Sequence, residues 1–274
     1  MGGPEGGVEA WINYVAPMEE RPRFHAQDHA RDNLVLDPRR VAIADGRAAP
    51  PSLDVEGIAL VPHRTAVADF RDPAAAMAVY RPELERLIGE LSGASRVVVM
   101  GGAGLRFSKR SSEFGTGINS QPAGFVHVDY TDRSAPELLS GRLFGGEPHT
   151  IRPGQRIAGY NIWRVVSDPP QDTPLAVCDA RTVATADLVR ADAVFDVGEA
   201  PWMTFEAFLL KADPAHRWLY FSNMLPGEAL VFKSFDTEPG RPVRVPHTAF
   251  EHPRTPADAP GRVSVEARAF AIFD

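Results

Sequence analysis

The chain has 274 residues, 44% of them hydrophobic and 24% charged, which suits a globular protein of one large domain or two small ones. A net charge of −7, with no Lys- or Arg-rich run, argues against nucleic-acid binding. No apolar run approaches the ~20 residues of a bilayer crossing, no secretory signal opens the chain, and the single cysteine, Cys178, excludes an internal disulfide, so a cytoplasmic protein is expected.

Residues 1–70 are rich in Pro, Arg and Asp, and read as irregular structure with a few edge strands at VAIADG and GIALVPH. HAQDH (25–29) sets His25 and His29 one helical turn apart, a zinc-chelating spacing. Its polar flanks, and the lack of a Glu after the first His, point instead to a solvated segment. The clearest helix runs from Asp72 to Leu91. Pro73 suits its first turn, Met77, Tyr80, Leu84, Leu87, Ile88 and Leu91 form one apolar stripe, and Gly93 is a natural stop. RVVVM (96–100) follows as a buried strand. GGAGLRF then lacks the third glycine of a dinucleotide fingerprint and reads as a glycine-rich turn. A short helix is expected over Ser134 to Leu143.

Strand signals dominate the remainder: IAGYNIWRVV, PLAVCDA, RWLYFS, ALVFKSF, RPVRVPHTAF and RVSVEARAFAIF. Many short strands without intervening helices argue for a sandwich or jelly roll. The expected fold is mainly β with flanking helices: a cupin-like double-stranded β-helix. Residues 1–95 would be irregular and helical support, and 96–274 the jelly-roll core of a single domain. Trp11, Trp202 and Trp218 suit either pocket walls or core. Nothing in the sequence specifies an oligomeric state.

FVHVDYT (125–131) places His127 and Asp129 two apart, on one face of a strand. A chain of this composition contains such a pair by chance, so context must give it meaning. His247 in VPHTAF supplies a second imidazole, and two histidines with one carboxylate make the facial triad of non-haem iron oxygenases. RVSVEARAF (262–270) then puts Arg262, Ser264, Glu266 and Arg268 on one face of a strand and small apolar residues on the other. A charged strand face makes sense if it lines a cavity holding an anion, and Arg262 with Ser264 suits a carboxylate. These elements meet at one barrel mouth if their strands are antiparallel neighbours.

These stretches, with WINYVAPM, AVYRPELERLIGELSGASRV, PLAVCDARTV, WLYFSNMLPGEALVFKSFD and PHTAFEHP, resemble a family of iron- and 2-oxoglutarate-dependent hydroxylases and desaturases of secondary metabolism. The family includes relatives of the cephalosporin methoxylation partner protein and of the fungal gibberellin desaturase. The resemblance implies His127, Asp129 and His247 as Fe(II) ligands, and Arg262 with Ser264 as the anchor for the distal carboxylate of 2-oxoglutarate. It places Asn161 and Trp163, from an N-x-W-R motif, at the pocket. It implies dioxygen and a small natural-product or amino-acid-derived molecule as the other reactants, with no nucleic acid and no membrane as partners. Three positions depart from the pattern: GGAGLRF lacks a histidine before its arginine, Val165 stands for a proline, and His252 for an aspartate. His252 is therefore a competing ligand, disfavoured because it precedes Pro253 in an expected turn. Two alternatives are a cupin-like metal enzyme without 2-oxoglutarate, which needs no Arg262 anchor, and a non-catalytic partner of a tailoring enzyme.

Overall fold

The computed structural model describes residues 6–116, 120–141, 149–197 and 200–274, excepting the side chains of 196, 197 and 200–202. In chain order the strands and helices are β1 (Val8–Val15), β2 (Arg23–His25), β3 (Leu36–Asp45), β4 (Ile58–Pro62), α1 (Pro73–Ser92), β5 (Arg96–Phe107), β6 (His127–Val128), α2 (Ser134–Ser140), β7 (Ile157–Val165) and β8 (Leu175–Cys178). They continue as β9 (Leu188–Val197), β10 (Ala200–Leu210), β11 (Trp218–Tyr220), β12 (Glu228–Asp236), β13 (His247–Ala249) and β14 (Val263–Ile272).

Two sheets result. The larger runs β1-β3-β11-β8-β13-β6-β10-β9-β2, and the smaller β4-β12-β7-β14-β5. This is the expected jelly-roll layout. The N-terminal strands β1, β2 and β4 are indeed edges, whereas β3 sits inside the large sheet between β1 and β11. The hairpin β9–β10 was not anticipated. In β9, charged Arg190 and Asp192 alternate with buried Ala191 and Ala193, which gives a weak β signal.

GGAGLRF is not a turn. It continues β5 to Phe107, and the glycines form a bulge in which residues 101–103 oppose a single residue of β14. Gly101 takes φ 63, a conformation for which glycine is favoured. β14 stays in unbroken register with β7, so its charged face remains aimed inward.

Helix α1 starts where Asp72 accepts from the Ala75 amide (3.0 Å) and ends at Gly93 with φ 68. Tyr80, Leu84, Leu87 and Ile88 pack on Val99, Ile162, Val265 and Ala267 of the small sheet. α1 therefore roofs the outer face of that sheet, and its inner face is left for the cavity. With both faces covered, β7 is buried throughout, which is why IAGYNIWRVV reads as a continuous apolar run. Trp218 belongs to the core and donates to the Tyr14 hydroxyl (2.7 Å), whereas Trp11 is 64% exposed. Trp202 lies outside the described side chains.

Candidate active site

β6 and β13 are antiparallel neighbours, and His127 pairs directly with His247 across them. The two side chains therefore leave the same sheet face together, with ring centroids 4.2 Å apart. Phe125 packs beside His127 and Phe232 beside His247. Each Nδ1 faces a main-chain carbonyl, Phe125 O at 3.1 Å and Val245 O at 3.3 Å. A carbonyl only accepts, so both Nδ1 atoms carry the hydrogen and both Nε2 lone pairs are turned to the cavity. His247 Nε2 is buried without a hydrogen-bond partner among the described residues. An orphaned ring nitrogen of this kind is what a metal ligand leaves behind.

Asp129 follows β6 and points the same way, its Oδ1 3.7 Å from His127 Nε2. Ligand atoms of His127, Asp129 and His247 all lie within 4.8 Å of one another. The other oxygen, Oδ2, is held by Arg268 Nε and Asn161 Nδ2, each at 2.6 Å. Oδ1 alone is therefore free to join the two nitrogens. Burial works against ionisation of Asp129, but the Arg268 guanidinium beside it outweighs burial and holds the carboxyl well below the usual range. Burial lowers His127 to about 4, and His247 adds to the effect, so its ring is neutral at physiological pH. Two imidazoles and one carboxylate are the donor set of a 2-His-1-carboxylate iron site. The residues fit the group.

Arg262 comes from the other sheet, immediately before β14, facing the triad rather than lying beside it as expected. It is 1% exposed. Its Nη1 donates to Ser264 Oγ at 2.7 Å, and its guanidinium lies 5.6 Å from the Trp163 ring. Nε and Nη2 are buried with no partner among the described residues. Burial pushes the group down to about 10, so it remains a cation at neutral pH. A buried guanidinium with one edge unsatisfied calls for an anion, and a carboxylate matches its fork.

One cavity between the sheets is lined by His127, Asp129, His247, Arg262 and Trp163, so the structure brings these predicted residues together. Ser264 supports Arg262 from behind. Asn161 is fully buried and is not part of the cavity wall. It bonds Asp129, Glu266 (2.9 Å) and Ser234. His252 lies away from the triad, its ring beside Tyr220 at 5.6 Å. HAQDH is less solvated than expected: His25 is buried at 7%, and His29 lines the cavity, edge-on to Phe125. Arg106 and the apolar wall of Phe24, Phe125, Phe195 and Phe205 were missed. They come from five strands or strand ends whose pairing no local sequence pattern specifies.

Comparison with known proteins agrees with this geometry. A family model described as "Oxidoreductase/YMDC permease-like domain" matches residues 12–272. As to the permease part of that description, no helix among the described residues is long and apolar enough to cross a membrane. The alpha-ketoglutarate-dependent dioxygenase phiK of a fungal species is 29% identical over 98% of this chain and 97% of its own length. The Fe(II)/2-oxoglutarate-dependent dioxygenase nvfI of Aspergillus novofumigatus is 30% identical over 96% and 86%. The hydroxylase/desaturase efuI of Hormonema carpetanum is 30% identical over 81% and 79%. Among solved structures, the iron and alpha-ketoglutarate-dependent endoperoxidase NvfI superposes with a TM-score of 0.80 at 26% identity, over 98% of this chain and 99% of that one. Matches of this extent show that the protein belongs to the family of Fe(II)/2-oxoglutarate-dependent oxygenases.

Proposed function

We propose that this oxygenase holds Fe(II) with His127 Nε2, Asp129 Oδ1 and His247 Nε2. It holds the distal carboxylate of 2-oxoglutarate with Arg262, steadied by Ser264, and oxidises an apolar carbon of a small natural product. One observation carries the reading: three converging ligand atoms share a cavity with a buried guanidinium whose Nε and Nη2 have no partner among the described residues. When bound, iron and 2-oxoglutarate supply a dioxygen-derived oxidant while the cosubstrate is decarboxylated to succinate.

The chain's own residues do the positioning. The Phe125 and Val245 carbonyls fix both imidazole tautomers. Arg268 and Asn161 occupy one carboxylate oxygen of Asp129 and leave the other for the metal. Trp163 floors the slot in which Arg262 waits. Phe24, Phe125, Phe195 and Phe205, with Ala193 and Ala207, exclude water and favour a hydrocarbon surface over an ionised amino acid. Hydrogen abstraction at one such carbon leads to hydroxylation, desaturation or ring closure. A cytoplasmic setting, which supplies 2-oxoglutarate and keeps the buried Cys178 thiol reduced, suits this chemistry.

The test is anaerobic reconstitution with Fe(II) and 2-oxoglutarate. The wild-type protein is expected to develop the weak visible charge-transfer band of the chelate, and His127→Ala and His247→Ala to lose it. A wild-type protein that binds both components without the band refutes the assignment.

A further inference from the structure

Arg106 is a cavity cation to which the proposed function gives no task. It lies near the end of β5, and its Cα pairs with Ser264, the residue that bonds Arg262. Directly opposed residues share a sheet face, so Arg106, Ser264 and Arg262 form one continuous set of donors on the inner surface. Arg106 lines the cavity with its side chain 13% exposed. Its hydrogen bonding is sparse. Nη1 donates to the neighbouring Leu105 carbonyl at 3.2 Å, and Nε and Nη2 make no hydrogen bond among the described residues.

A structural role would require a carboxylate of its own. Glu266 forms only a long ion pair with Arg106, 3.8 Å from Nη2 and beyond hydrogen-bond distance. Glu266 is already engaged by Arg268 at 3.2 Å and Asn161 at 2.9 Å. Burial holds the Arg106 guanidinium below its ordinary range, and Glu266 only partly offsets this. Local backbone chemistry also keeps the space open. A Cβ at Gly104 would sit 2.7 Å from Arg106 Nη1, so the glycine leaves room for the guanidinium to lie where it does.

We infer that Arg106 is a second carboxylate-binding group of this cavity, on the same wall as Arg262. The carboxylate has two possible sources: the metal-side end of 2-oxoglutarate, or an acid group on the molecule being oxidised. The inference rests on the cavity reading given above. A planar fork with two donors to spare matches either.

Calorimetric titration of 2-oxoglutarate into the anaerobic Fe(II) protein, with the visible band recorded alongside, tests it. Arg106→Gln is expected to weaken binding by about 10- to 100-fold, the range of a lost charged hydrogen bond. Arg106→Lys, which keeps the charge but not the fork, should fall between Gln and wild type. A second arm titrates benzoate into the Fe(II)–2-oxoglutarate complex. Loss of benzoate binding in the variants, with 2-oxoglutarate affinity unchanged, assigns the carboxylate to the oxidised molecule. If neither titration differs from wild type in whichever variant folds, the inference is overturned. Wild-type heat without the visible band rejects the iron assignment, while the Arg106 comparison is still read from the heats.

Discussion

Arg268 decides which oxygen of Asp129 faces the imidazoles. It grips Oδ2 at 2.6 Å, and its own charge is tied to Glu266. Arg268→Met keeps most of the bulk but frees that oxygen. Outer contacts of this kind are worth about 10- to 100-fold in metal affinity, and a loss of that size is expected for Fe(II) or Mn(II) by equilibrium titration. Arg262→Lys keeps charge but loses the fork, so the KM for 2-oxoglutarate should rise while metal affinity holds. The acid response follows from His127 and Asp129. The His127 pKa falls from 6.5 to about 4 through burial, so below pH 6.5 the unfolded chain takes up a proton that the folded chain refuses. Asp129, held low mainly by Arg268, acts in the same direction at lower pH. The metal-free protein should therefore lose stability as pH falls from 6.5 towards 4, by on the order of 3 kcal/mol from His127, and urea unfolding across that window will show it.

At the scale of elements, α1 supports the sheet that carries Arg262, Arg106 and Arg268. Leu84 is fully buried between the helix and that sheet. Leu84→Ala should cost about 2–5 kcal/mol in urea unfolding. Its stripe touches the outer face only, so Fe(II) affinity in the folded fraction should stay near wild type. The same helix was legible in the sequence because its signals were local: Pro73, a 3.6-residue stripe and Gly93. β14 was legible because its alternation of charge and small apolar residues survives into the structure. The bulge in β5 was not, because glycines after a strand suit a turn equally well until a partner strand fixes the register. β9 was missed for a related reason: alanine and charge alternating over residues 190–193 give a weak β signal.

For the molecule as a whole, the three proposed ligand residues, noted from the sequence, are brought together by sheet pairing rather than by proximity in the chain. The hydrogen bonds that Asn161 and Arg268 make to Asp129 run between the two sheets, and composition and spacing cannot encode such contacts. Because the proposed centre exists only in the folded chain, added Mn(II) should raise thermal stability, by about 2.7 kcal/mol at a hundredfold excess over Kd, and scanning calorimetry will measure it. The His127–His247 pairing carries this further. Strand faces alternate with every residue, so sliding β13 by one place along β6 would turn His247 to the opposite surface. β13 is only three residues long and has little apolar content of its own to forbid such a slip. A cation shared across the two strands would penalise it, acting as a proofreader of the alignment that also builds the reaction chamber.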